Sequence, residues 1–240
     1  MKLRSIALAG LLSAGLFMSS GCSIEDVTDA INDALKSNII HVANGQSNTV
    51  TFEVEGDLNS NTQDVNGLTN KMFFTNGQDS YSVSNTVSAD YGVTNSTKTF
   101  PKDGAYLYGL CANGNVITDS ATSGQRQIEV VNLSNTAVGT NGNVEVVFYG
   151  ENNEELDRRT INGEVAACSK ATLPASSVVL KDLRAVSVNG TLFTIPNYDA
   201  DIDSELDKLN NVDLDLVVYD VNDQKGTIIP LATAKQLSLQ

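Results

Sequence analysis

The stretch Val144-Glu145-Val146-Val147-Phe148-Tyr149-Gly150 repeats, in the second half of the chain, the pattern of Val50-Thr51-Phe52-Glu53-Val54-Glu55-Gly56 in the first. In the earlier copy Val50, Phe52 and Val54 alternate with Thr51, Glu53 and Glu55. Side chains of a strand point alternately to its two faces, so this period of two marks a strand with one apolar and one wet face. Upstream of each copy lies a more continuously apolar run that ends in Asn: Ile39-Ile40-His41-Val42-Ala43-Asn44 before the first, and Ile128-Glu129-Val130-Val131-Asn132 before the second. A strand, a polar turn and an alternating strand closed by Gly thus occur twice, at a spacing of domain length.

Working outward, further strands are expected at Lys71–Thr75, Tyr81–Val87, Ala105–Cys111 and Val116–Thr118. After the second copy they are expected at Ser177–Leu180, Ala185–Val188, Thr191–Ile195, Val212–Tyr219 and Thr227–Ile229. The gaps are rich in Asn, Gly, Ser, Thr and Asp, and the whole chain has only four prolines, which suits tight turns better than stiff linkers. The polar stretch Asp119–Gln125 separates the two units. The expectation is an all-β protein with a first β-sandwich domain over 38–121 and a second over 126–240, since many short strands with turn signals between them pack as sandwiches.

The segments Val130-Val131-Asn132-Leu133-Ser134 and Val144-Glu145-Val146-Val147-Phe148-Tyr149-Gly150 resemble a domain family of unknown function found as tandem immunoglobulin-like modules in bacterial surface proteins and lipoproteins. Each such module opens with an apolar strand ending in Asn or His, then a small polar turn and a strand of the type Val-Asp-Val-Tyr closed by Asn-Gly or Asp-Gly. Glu145 stands where that family commonly has Asp, its Ala-Ser-Pro-Asp turn is absent from both copies, and the likeness covers the opening third of each unit. The resemblance implies two tandem immunoglobulin-like β-sandwich domains and carries over no catalytic residues.

The start of the chain reads as an export signal. Lys2 and Arg4 precede an apolar run from Ile6 to Phe17, shorter than the roughly 20 residues that span a bilayer. Met18-Ser19-Ser20-Gly21-Cys22 then looks like the lipobox of bacterial lipoproteins, with Ser19 where Leu is usual. The resemblance implies cleavage after residue 21 and a thioether from Cys22 to a diacylglycerol, with a further acyl chain on the new amine. Two or more chains hold a protein firmly at a membrane. Ser23 follows in place of the Asp that tends to retain lipoproteins on the inner membrane, which implies the outer membrane of a Gram-negative host. Ser19 and Gly21 also fit ordinary signal peptidase, so plain secretion is the alternative. Residues 22–37 are expected to hold the anchor and a short amphipathic helix, because Ile24, Val27, Ala30, Ile31, Ala34 and Leu35 fall on one stripe. Glu25, Asp26 and Asp29 suit its N-terminal end and Lys36 the other.

Charge narrows the partners. The chain has 15 basic and 29 acidic residues, and residues 1–21 hold two of the basic ones and no acid, which leaves 13 and 29, a net charge of −16. Such a surface repels phosphates, so no nucleic acid partner is expected, and it favours solubility. Trp is absent, which disfavours sugar stacking. The one histidine, His41, lies in an apolar strand and reads as structural, so no His-based metal site is available. With Cys22 assigned to lipid, Cys111 and Cys168 remain as a disulfide candidate in an oxidising compartment, or as two buried free thiols.

The strongest chemical constellation is Asp199-Ala200-Asp201-Ile202-Asp203-Ser204-Glu205. Asp199, Asp201 and Asp203 alternate as they do at the start of a Ca²⁺ loop, but Ser204 and Asn210 stand where an EF-hand needs Gly and Glu. The competing reading is a helix N-terminus with acids at its first turn. Asp220-Val221-Asn222-Asp223 reads as a turn, and Glu151-Asn152-Asn153-Glu154-Glu155 as a solvated turn between strands. GxSxG, Walker and GxGxxG patterns are absent. These readings lead to a lipid-anchored envelope protein with a non-enzymatic binding, scaffolding or adhesion role and an envelope protein or glycan as partner. The rival is a Ca²⁺-dependent enzyme, or an enzyme accessory, acting on envelope polysaccharide.

Overall fold

In the computed structural model, residues 38–55, 60–75, 80–86, 96–101, 104–121, 126–139, 141–178, 182–194 and 212–233 are described. The export signal, Cys22 and the helix expected over 23–36 lie outside them. The described chain is all-β. Its first half supplies β1 (Asn38–Asn44), β2 (Val50–Glu55), β3 (Ser60–Val65), β4 (Thr69–Thr75), β5 (Ser80–Thr86), β6 (Ser96–Pro101), β7 (Ala105–Leu110) and β8 (Val116–Ser120). Its second half supplies β9 (Ile128–Asn132), β10 (Asn143–Tyr149), β11 (Glu155–Asn162), β12 (Ser169–Thr172), β13 (Ala185–Val188), β14 (Thr191–Thr194), β15 (Asp213–Asp220) and β16 (Lys225–Leu231).

The strands form four sheets, ordered β4-β1-β7-β8 and β3-β2-β5-β6 in the first half, and β12-β9-β15-β16 and β11-β10-β13-β14 in the second. Strand for strand the two halves have the same order. In both, the opening strand runs antiparallel to the fourth and parallel to the seventh, as β1 does with β4 and β7, and β9 with β12 and β15. Each pair of sheets encloses one apolar core in a sandwich-like arrangement. In the first, Ile40, Val42, Phe52, Val54 and Tyr108 are buried together, with the Phe52 and Tyr108 rings edge-on at 6.1 Å. In the second, Val130, Val144, Val146, Phe148, Val186 and Leu216 play the same part.

A third apolar layer joins the halves. Ala43, Ala105 and Leu107 of the β4-β1-β7-β8 sheet pack with Val131, Val217 and Ile229 of the β12-β9-β15-β16 sheet. These two sheets are therefore covered on both faces, which is why β1, β7 and β9 are buried along their whole length and read as apolar runs. Strands β2 and β10 lie in the outer sheets, and their exposed faces account for the alternation. Leu133, just after β9, seats in this seam: its carbonyl accepts from the Ala112 N–H at 2.7 Å, and its N–H donates to the Val218 carbonyl at 2.9 Å. Gly45 makes room for it, because a Cβ there would stand 2.6 Å from the Leu110 carbonyl and 2.8 Å from the Leu133 Cβ.

Four strands were not expected from the sequence: β3, β6, β11 and β12. All four lie at sheet edges. Sequences such as Ser-Asn-Thr-Gln-Asp-Val and Ser-Lys-Ala-Thr carry little apolar alternation, because an edge strand keeps one flank and often one face in water. Conversely, Ser177 and Val178 form no strand, while Val179 and Leu180 lie outside the described residues. Asp119 belongs to β8 and not to the polar break.

Both halves also close their first turn with one buried asparagine. The Asn44 Nδ2 donates to the carbonyls of Asn48, Val65 and Asn66 at 2.9, 2.9 and 3.3 Å, and its Oδ1 accepts the Gln46 N–H at 2.9 Å. In the second half the Asn132 Nδ2 donates to Thr136, Val165 and Ala166 at 2.8, 3.0 and 3.0 Å. Its Oδ1 accepts from the Ser134 N–H at 3.0 Å and from the Ser134 hydroxyl at 2.7 Å. A carboxamide is needed because it alone presents donors and an acceptor together to a buried turn. This accounts for the Asn at the end of both opening strands.

Candidate functional site

Charged side chains converge at one end of the seam. Glu129 and Val131 share one face of β9, Asp215 and Val217 one face of β15, and Lys170 and Thr172 one face of β12, by the alternation of strand side chains. Val131 and Val217 lie in the seam, so Glu129 and Asp215 point there too. Register places Asp215 on one side of Glu129 and Thr172 on the other. Asp119 arrives from the first half on β8, opposite Leu107, another seam residue.

One carboxylate oxygen each of Asp119, Glu129 and Asp215 lies within 4.8 Å of the other two. The Lys170 ammonium bridges two of these acids, at 2.6 Å from the Asp119 Oδ1 and 2.7 Å from the Glu129 Oε2. The Thr172 hydroxyl donates to the Glu129 Oε1 at 2.7 Å, and the Ser120 N–H to the Asp119 Oδ1 at 2.7 Å. Asp215 is 1% exposed, and its Oδ2 has no hydrogen-bond partner.

The environment separates these groups electrostatically. Burial pushes the Asp215 carboxyl well above the ordinary carboxylate range, with the neighbouring Asp119 adding to it, so Asp215 retains its proton most readily. Burial and a hydrogen bond with Asp119 also raise Glu129. Burial alone would raise Asp119, but its hydrogen bonds to Glu129 and Lys170 outweigh that and lower it. Burial opposes the charge on Lys170 as well, and hydrogen bonds to Asp119 and Glu129 reverse the balance. The arrangement is a Lys170 ammonium paired with Asp119 and Glu129, beside a buried Asp215 whose surroundings favour its protonated form. Three carboxylates are hard donors of the kind that hold Ca²⁺ or Mg²⁺. Here the lysine ammonium already sits on two of them, so the cation of this cluster is the chain's own.

His41, on β1, occupies the same seam two strands from Asp119, with Leu107 on β7 between them. It pairs in register with Met72 on β4 and Leu107 on β7, is buried, and its Nδ1 has no partner. Burial lowers its pKa to about 4, so it is neutral at physiological pH.

Of the residues expected to matter, Cys111 and Cys168 are joined by a disulfide across the seam, with a Cα separation of 5.6 Å. Asp199, Asp201 and Asp203 lie outside the described residues. Asp220 is a turn residue: its Oδ1 accepts the N–H groups of Asn222 and Asp223 at 2.8 and 3.1 Å. The Asp119, Glu129, Lys170 and Asp215 cluster was not anticipated. One signal was present, an acid inside an otherwise apolar run in Ile128-Glu129-Val130-Val131 and Leu214-Asp215-Leu216-Val217. It gains meaning only when both faces of those strands are covered. No protein-family model and no curated protein matches this chain.

Proposed function

We propose that this chain is a lipid-anchored cell-envelope protein that acts as a non-enzymatic binding, scaffolding or adhesion module, with two tandem immunoglobulin-like units carried on an acylated Cys22. The observation that carries this reading is the stretch Met18-Ser19-Ser20-Gly21-Cys22 after a short basic and apolar leader. The repeated strand order, the apolar seam and the cross-seam disulfide support a stiff support for partner-binding edges and loops. The excess of acids over bases points away from a nucleic acid partner and suits a basic one; an envelope protein or glycan is the proposed partner. The outer membrane is the proposed location.

The test is to express the full chain in a Gram-negative host with an alkyne-tagged palmitate and to fractionate the membranes. The wild-type chain is expected to take up label and sediment with the outer membrane, and Cys22→Ala to do neither. An unlabelled, soluble wild-type chain would refute the anchor. Crosslinking in intact cells then asks for the partner: one stoichiometric envelope protein supports the scaffold role, and turnover of envelope polysaccharide by the purified chain overturns it.

A further inference from the structure

The charged cluster has the parts of a condensation site. We propose that Lys170 and Asp119 become joined by an isopeptide bond across the seam, with Glu129 and Asp215 as the proton-transfer groups. The inference rests on the seam geometry and does not depend on lipid anchoring.

The nucleophile and the carbonyl carbon are already neighbours, since the Lys170 Nζ stands 2.6 Å from an oxygen of the Asp119 carboxyl. Both belong to strands, β12 and β8, whose sheets are pressed together by the apolar seam, so the encounter is intramolecular. Holding two reactants at contact replaces a bimolecular collision and can be worth effective concentrations far above any in solution. The Asp119 and Glu129 side chains are largely shielded, at 12% and 10% exposure. A simple ion pair needs only Lys170 and one acid. It does not explain Asp215, an almost fully buried third carboxyl with an unpartnered Oδ2 beside the pair. A condensation does, because it needs a buried acid for the departing oxygen.

The balance closes without any co-reactant. The Lys170 ammonium passes one proton to Glu129, the acceptor that also holds it at 2.7 Å. The freed lone pair forms the Nζ–Cγ bond to Asp119. Asp215 gives its proton to one Asp119 oxygen, and the C–O bond to that oxygen breaks. Glu129 returns its proton to the same oxygen, which leaves as water, and the second amine proton goes to Asp215. Both acids end as they began, and an ammonium and a carboxylate have become an amide and one water. The raised carboxyls of Glu129 and Asp215 suit these roles, one as acceptor and one as donor. Cys168 already ties the strand entry to Cys111, two residues before Lys170, so the amide would be a second, non-reducible link beside the disulfide.

The experiment is peptide mapping of the full chain isolated from cells, after denaturation, reduction and alkylation. The expected result is a branched peptide that contains both Lys170 and Asp119, lighter than the two linear peptides by one water, with no cleavage by trypsin after Lys170. Lys170→Arg, which keeps the charge, is expected to return Asp119 to a linear peptide of full mass. Asp215→Asn and Glu129→Gln are expected to slow the conversion by about 100-fold or more, as removal of a general acid or base does. Recovery of Lys170 and Asp119 from the wild-type chain on separate peptides of full mass would overturn the proposal. A branched peptide formed at the wild-type rate in both acid variants would overturn the roles given to Glu129 and Asp215.

Discussion

The two halves share a strand order and an asparagine-closed turn, yet they differ on the faces by which they meet. The first half offers a nearly apolar face, interrupted by a neutral His41 and by Asp119 at one end. The second offers Glu129, Lys170, Thr172 and Asp215 along one side of the same apolar layer. The shared features are those each half needs to fold: inward-facing residues of two sheets and satisfied turn carbonyls. The differing features are those that only the contact between halves can use. The shared features thus lie in each half's own core and turn, and the differences lie where the halves meet.

Cutting the covalent link between the halves should have the largest effect. A disulfide that closes a loop of 57 residues is worth about 4 kcal/mol by chain entropy. Cys111→Ala with Cys168→Ala should lose most of that in urea unfolding when Lys170→Arg is also present. It should lose far less when Lys170 is intact, if an amide closes nearly the same loop. Two separate unfolding transitions in the triple variant would show that the apolar seam alone does not couple the halves.

Acid should act next, through His41 on the first half's face. Its imidazole takes up a proton near 6.5 in the unfolded chain but only near 4 in the folded one, so unfolding binds a proton between those values. Stability is therefore lost as the pH falls from about 6.5 to 4, by up to about 3 kcal/mol at one and a third kcal/mol per pH unit. His41→Gln should flatten that limb of the stability profile, and an unchanged slope would show that burial does not lower the His41 pKa.

The shared turns give a smaller, symmetric test. Asn44→Ala and Asn132→Ala should each cost about 2 kcal/mol, because each leaves buried carbonyls without a donor. The two losses should add if the turns act independently, and a marked inequality would separate halves that now look alike. The smallest effect is expected on the second half's face. Asp215 is held above the ordinary carboxylate range, so its protonated form is the one the fold favours, and stability falls as the pH rises through that raised value. Asp215→Asn keeps a donor and loses the charge, and should raise stability near neutral pH by on the order of 1 kcal/mol. A loss of similar size would mean that the ionised form is the one required.

The legible part of the fold was the part with strong alternation. Val50, Phe52 and Val54, and Val144, Val146 and Phe148, marked the outer-sheet strands because one of their faces meets water and the other meets a core. The paired Asn44 and Asn132 marked the ends of the opening strands, though not the carbonyls they satisfy. Edge strands such as Ser60–Val65 and Glu155–Asn162 are not legible in the sequence, since their pairing is made by backbone groups and leaves little trace in side-chain polarity. The charged cluster is illegible in the sequence for another reason. Asp119, Glu129, Lys170 and Asp215 come from four strands and both halves, and no local spacing relates them.

By itself the sequence determined the all-β class, the internal duplication and the apolar character of β1, β7 and β9, because strand periodicity and continuous apolar runs are local properties of the chain. It also contained the stretch at Cys22 on which the envelope reading rests. Tertiary structure alone decided that the inner sheets of the two halves pack back to back. That packing turns Glu129 and Asp215 from residues of a wet face into buried acids, brings Lys170 onto Asp119, and leaves His41 neutral. The physical reason is that burial and the electrostatics it controls depend on which surfaces meet, and that is set by contacts between residues far apart in the chain.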